Sequence, residues 1–335
     1  MLNSIKLCSI IVFVIVYEGR RNNMSKKMVI LLICTFLLIS IFFSAGTIFI
    51  NIGTGGTAGT YYPLGGAIAE ILNSKISGIN ATAVSTGGSV ANINMLKENS
   101  IQIGFIQNDV AYYAYNGVEF FANSKYTEMK ALCSLYPETV QIITLKNKNI
   151  KTLYDLKGKR VAVGAAGSGV EVNARQILTA VGLTYKDISV QYLSFAEAAN
   201  GLRDGTCDVA FLTAGLPTAA VRDIASQKEV FVIPIPAKIA DSLISKYPFY
   251  IKTAIPKDTY PSMTEDVSSL AVLAMLVARA DMTDDLAYSI VKAIFENLER
   301  LQVAHQMGKF IKKENALFGI SIPMHPGADK YFKGK

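Results

Sequence analysis

One pattern constrains this chain more than any other. A short apolar run opens into a small, hydroxyl-rich turn, and a helix-like segment follows. "TIFINI" over residues 47–52 feeds "GTGGTAGTYY" (53–62), then a helical stretch over 60–72. "NATAVS" (80–85) leads through "STGGS" (85–89) into a helix over 89–97, and "IQIGFI" (101–106) into one over 109–116. Short apolar runs bounded by Gly, Asn and Asp, alternating with helices, predict parallel α/β sheets.

Strands are also expected over 131–136 and 140–146. A second set of units begins near residue 150. Three capping boxes punctuate it: Thr152 with Asp155, Ser168 with Glu171, and Ser194 with Glu197. Strands are predicted over 160–164, 188–193, 207–212 and 230–235, with a helix from about residue 216. The stretch 249–256 reads as extended, 268–278 as a strand, and 284–306 as one long amphipathic helix. Two α/β lobes follow, 47–140 plus 250–335 and 141–249. Two extended crossings join them and leave a cleft, a preferred place for a ligand. A chain of 335 residues is long enough for two such cores.

Residues 1–46 read differently. Lys26 and Lys27 precede a 16-residue apolar run over 28–43, and Ser44, Ala45 and Gly46 are small. That is the pattern of an export signal, set aside from the fold. It is either cut near Gly46 or kept as an anchor, since ~20 apolar residues span a membrane. Residues 1–23 hold an earlier apolar run without a cleavage site, so Met24 is read as the true start. Ile33 is too bulky before Cys34 for a lipid-attachment site. This leader carries four of the seven net positive charges, leaving +3 for the rest. No dense basic patch remains, so no nucleic-acid partner is expected.

Two cysteines follow the leader, Cys133 and Cys207, and both read as free, buried thiols. The two histidines, His305 and His325, stand far apart, so no metal site and no Ser–His–acid set is visible. No catalytic residue and no cofactor is expected.

Gly53, Gly55 and Ala58 fit the dinucleotide fingerprint, but its context fails. Ser85, Thr86 and Ser89 stand where a ribose-binding acid belongs, and Glu70 comes too early. A phosphate loop fails too, since Thr60 follows Gly59 where a lysine is required. The turns 53–62, 85–89 and 164–169, with 213–215 as a candidate fourth, suit another task. Helix N-termini present unpaired N–H groups and a partial positive charge, so they hold carboxylates and other anions. The bland alternative is ordinary strand-to-helix turns with caps. Asp109 either faces a ligand or caps its helix. Glu138 either meets a ligand ammonium or sits on a hinge surface. Arg175 either reaches a carboxylate or lies exposed.

"GTGGTAGTYYPLGGAIAEILN", "STGGSVANINMLKENSIQIGFIQNDVAYYAYNG", "LYPETVQIIT" and "TLYDLKGKRVAVGAAGSGVEVNARQIL" resemble the TAXI family, the extracytoplasmic solute receptors of TRAP transporters. The likeness runs from about residue 48 to about 330. It implies a two-lobed periplasmic-binding-protein fold of type II, with two parallel or mixed sheets joined by hinge strands. It implies a monomeric, non-enzymatic receptor that hands a small carboxylate, glutamate-like, to a TRAP membrane permease. Carried over, the binding positions are Thr57, Gly59, Thr60 and Tyr61, then Ser85, Gly87, Gly88 and Ser89. Gln107, Asp109, Tyr136, Glu138, Ser168 and Gly169 complete the implied site. The same lobes also suit a sensor feeding a membrane kinase, or an enzyme on the same fold.

Overall fold

A computed structural model describes residues 46–334. The export-signal reading, the alternative start and Cys34 lie outside the described residues. Residues 49–335 cluster as one compact unit.

The chain begins with β1 (Ile48–Gly53), α1 (Tyr61–Lys75), β2 (Ile79–Val84), α2 (Ser89–Lys97), β3 (Ile103–Gln107) and α3 (Asn108–Asn116). A 17-residue strand follows, β4 (Met129–Leu145). Then come β5 (Arg160–Ala162), α4 (Gly169–Ala180), β6 (Ser189–Gln191), α5 (Phe195–Asp204), β7 (Val209–Ala214), α6 (Ala219–Ala225), β8 (Val230–Val232) and α7 (Ala237–Lys246). The chain closes with β9 (Ile251–Ile255), β10 (Val267–Arg279), α8 (Asp284–Phe295), α9 (Leu298–Ala304) and α10 (Pro326–Lys333).

Among the described residues the strands form a ten-stranded mixed sheet in the order β2-β1-β3-β10-β4-β7-β5-β6, with β8 on β4 and β9 on β10. The two expected sets of strands are joined in one ladder because β4 and β10 are long. β10 pairs antiparallel with β3 through residues 274–278 and with β9 through 267–271. Residues 139–144 of β4 pair antiparallel with β7. Parallel pairing survives within each set, β1 with β3 and β5 with β6 and β7.

The sequence predicts two strands, 131–136 and 140–146, where β4 runs on through Pro137, which cannot donate to a ladder. Pro137 lies opposite Leu273, and the register of β10 shifts between Leu273 and Met275. A proline is tolerated at such an irregularity. The long helix predicted over 284–306 is two helices, α8 and α9. Asn297 lies at the break, with φ −135° and ψ 37°, and its side-chain amide donates to the Ala293 carbonyl at 2.8 Å. That bond satisfies one of the carbonyls a helix end leaves open.

Apolar faces of the helices cover the sheet. Leu64, Ile68 and Leu72 of α1, spaced four apart, pack with Ile50, Ile52, Ile290 and Ile294. Each such buried side chain contributes about 2 kcal/mol. Around β7, Ala210 and Leu212 pack with Leu202, Val221 and Ile224. Cys133 and Cys207 are free and buried in these cores, as expected from the sequence.

Candidate functional site

Three helices point their N-termini at one cavity. It holds about 590 Å³ of empty space, part of it open to solvent. α1 contributes Thr60 and Tyr61, α2 Gly88 and Ser89, and α4 Ser168 and Gly169. Ser194 and Phe195, at the head of α5, also line it. The first N–H groups of each helix have no partner within it. Pro63 lacks an N–H, which leaves those of Tyr61 and Tyr62 to represent the first turn of α1.

Side-chain and backbone bonds hold the turns in place, and they take up two of these N–H groups, those of Ala91 and Glu171. Thr86 donates to Asn92 Oδ1 at 2.7 Å and accepts from the Gly88 N–H at 3.1 Å. Asn92 donates to the carbonyls of Thr54 and Phe105, pinning α2 between β1 and β3. Gly88 has φ +104°, a backbone state that excludes ordinary side chains. The Ala91 N–H reaches the Gly167 carbonyl at 3.0 Å, tying the second turn to the third. Ser168 caps α4 by accepting from the Glu171 N–H at 3.2 Å. The return half of that expected box is missing, because the Glu171 carboxylate binds Arg175 and the Tyr185 hydroxyl instead. The other two boxes form in full, at Thr152 with Asp155 and at Ser194 with Glu197.

Beside these helix heads stands Glu138, buried, its Oε2 accepting from the Tyr61 hydroxyl at 2.9 Å. Burial pushes its carboxyl up to about 8, and the Tyr61 hydroxyl and Gln107 side chain pull only partly against that. Gln107 Oε1 and Thr213 Oγ1 are buried without a hydrogen-bond partner. The lining holds no Lys, Arg or His. Backbone dipoles therefore supply the positive potential, and Glu138 and Gln107 supply acceptors among them. Such a cavity suits a small polar molecule with an anionic end.

The structure gathers most of the residues singled out from sequence. Gly59, Thr60, Tyr61, Gly87, Gly88, Ser89, Gln107, Glu138, Ser168 and Gly169 line the cavity. Four do not. Thr57 is exposed on the first turn. Ser85 donates to the Gly55 carbonyl at 3.1 Å, holding the first two turns together. Tyr136 is buried, its hydroxyl unpartnered. Asp109 accepts from its neighbour Val110 N–H at 2.9 Å and from Asn173 Nδ2 at 3.0 Å. It lies in a buried chain of polar groups, Asn173, Tyr250, Gln176 and Tyr113, that ties α3 to α4. Burial pushes Asp109 up to about 7. Arg175 stays outside, stacked between Phe120 and Tyr185.

Thr86 and Thr213, which belong to the turns 85–89 and 213–215, also line the cavity, as do Val170, Ser194 and Phe195, which lie outside the turns singled out from sequence. The Ser194 capping box marked a further helix head, which was the available signal for Ser194 and Phe195. Both histidines serve the backbone: His325 caps α10 and His305 accepts from the Met307 N–H. Among the described residues no cluster of His, Cys, Asp or Glu suits a metal ion, and no helix is long and apolar enough to cross a membrane.

Residues 52–335 match the model of the NMT1-like family. Solved structures share the fold at low identity. A Bordetella bronchiseptica protein is 17% identical with TM-score 0.53, over 85% of this chain and 88% of its own. A Listeria monocytogenes protein assigned to an L-cystine ABC transporter is 15% identical with TM-score 0.50, over 80% of this chain and 99% of its own. PhnD1 of Prochlorococcus marinus, solved with methylphosphonate, is 10% identical with TM-score 0.52, over 78% and 90%. The fold is that of the type II periplasmic binding proteins.

Proposed function

The chain belongs to the NMT1-like family, and on that premise we propose that it is an extracytoplasmic solute receptor that takes a small carboxylate into the cavity and delivers it to a membrane permease. The observation that carries this reading is the convergence of three helix N-termini on a cavity without a cationic side chain. A carboxylate takes up N–H donors there without needing a salt bridge. PhnD1 binds methylphosphonate, another small anion, on the same fold.

The finer reading rests on the likeness to the TAXI receptors of TRAP transporters, with glutamate or a related acid as the leading ligand. Residues 47–140 plus 250–335 and 141–249 then act as two lobes, with β4 and β10 at the hinge. The ligand favours the closed form only through its extra affinity for that form.

The test is a thermal-shift panel on the purified protein with glutamate, glutamine, aspartate, dicarboxylates and keto acids. A true ligand at a hundredfold excess over Kd stabilises the fold by about 2.7 kcal/mol. No response across the panel would sink the carboxylate reading.

A further inference from the structure

The cavity lining carries two kinds of group, and the proposed function uses only one. The helix N-termini satisfy an anion. Beside those helix heads stand acceptors to fill, Glu138 and the unpartnered Gln107 Oε1, with the Thr213 hydroxyl free to donate or accept. Glu138 is 2% exposed, and the hydroxyl of Tyr61 is its hydrogen-bond donor. The titratable groups that face it are Tyr61 from α1, Tyr136 on its own strand and Asp109 from α3, and none of them is a cation. A simple anion would leave Gln107 Oε1 bare and would lie in the same cavity as Glu138. Buried acceptors without donors are costly.

We infer that Glu138 is the charge-selecting residue of the cavity: it takes the ammonium of an amino-bearing carboxylate and releases its own proton to solvent as it does so. This rests on the receptor function proposed above. Burial holds the Glu138 proton on up to about pH 8. An incoming ammonium keeps its charge and its own protons, and the proton leaving Glu138 goes to bulk water. Binding of an amino acid therefore strengthens as pH rises toward 8, by at most about tenfold per pH unit. Its deaminated counterpart behaves oppositely. It meets a neutral Glu138 below pH 8 and a repelling carboxylate above it. Asp109 titrates in the same range and its charge also favours an ammonium, so Glu138→Gln is the variant that separates the two groups.

The experiment is titration calorimetry on the whole protein between pH 6 and pH 9 with matched pairs, L-glutamate against glutarate and L-aspartate against succinate. The expected result is opposite slopes within a pair: at least tenfold tighter amino-acid binding from pH 6 to pH 8, and weaker binding of the deaminated acid from pH 8 to pH 9. Glu138→Gln keeps the shape and removes the charge. It should weaken amino-acid binding at pH 8 by at least tenfold and abolish the fall in deaminated-acid binding. Tyr61→Phe keeps the carboxylate but removes the bond that favours its ionised form, so the midpoint should move to higher pH. Parallel slopes for both members of a pair would overturn the inference and leave the receptor function standing. Binding of neither member of either pair would overturn the inference, and silence across the wider thermal-shift panel would overturn the receptor reading as well.

Discussion

The Oγ1 of Thr60 accepts a hydrogen bond from the backbone N–H of Gly215, 3.1 Å away and 155 positions along the chain. Thr60 occupies the N-cap of α1, yet its side chain makes no cap bond to that helix. Its hydroxyl instead holds the end of β7 against the head of α1, and the α1 N–H groups stay open to the cavity. Thr60→Ala removes the acceptor and leaves a buried N–H bare, at a cost of about 1–3 kcal/mol. We expect a lower midpoint in urea for Thr60→Ala and a near-normal one for Thr60→Ser. Equal stability of all three proteins would show that the bond contributes nothing.

Gly169 lies against Gln107 so closely that a Cβ at residue 169 would collide with Gln107 Oε1 and Cδ. The collision is with a side chain that can swing away, so Gly169→Ala should fold. The displaced Gln107 amide and the new methyl both intrude on the cavity. Ligand affinity should fall at least tenfold with a small loss of stability, a split read by calorimetry beside thermal unfolding. A variant that binds normally would remove Gly169 from the cavity wall.

The strands and turns were legible because each leaves a local signature. Helix α2 begins and ends where its periodicity says, at Ser89 and Lys97. Features set by distant contacts were not legible. Nothing local to Pro137 says that β10 will carry an irregularity opposite it. Nothing local to Asn297 says that its amide will turn back to Ala293 and end a helix. α7 and α10 lie in stretches that the alternation of strands and turns left unassigned. Gln107 and Asp109 both enter the site that the resemblance implies, standing two apart at the end of β3, although Asp109 also reads as a helix cap. The helix that starts between them sends Gln107 into the cavity and Asp109 toward Asn173.

Cys133 and Cys207 are buried in separate apolar cores. Burial pushes the Cys133 thiol up to about 12 and raises that of Cys207 as well. The thiolate is the reactive form. Both should resist iodoacetamide in the native protein and react once it is denatured, as read by peptide mass spectrometry. Labelling of either in the native state within minutes would mean that its core opens readily.

Asp109 and Glu138 make the fold more stable in mild acid than in mild base. Asp109 ionises at about 7 when folded against an ordinary 3.8, and Glu138 at about 8 against 4.5. Because both values are raised by folding, the stability tied to each is fully present below its ordinary value. It is lost as pH rises through the folded value. Asp208 works in the opposite sense. Arg160 and Lys148 hold its carboxyl well below the usual range, so its contribution is present above about 3.8 and disappears as pH falls below that. That contribution is small, because Arg160 is well exposed to solvent. Stability should therefore decline from about pH 5 to about pH 8, by a few kcal/mol in all, and level off above. Asp109→Asn should flatten part of this decline, since the amide has no charge to desolvate, and Glu138→Gln should flatten the rest. Urea unfolding at pH 5, 6.5, 8 and 9 measures the effect directly. A wild-type midpoint that rises between pH 5 and pH 8 would mean that both acids are already ionised and solvated in the folded protein.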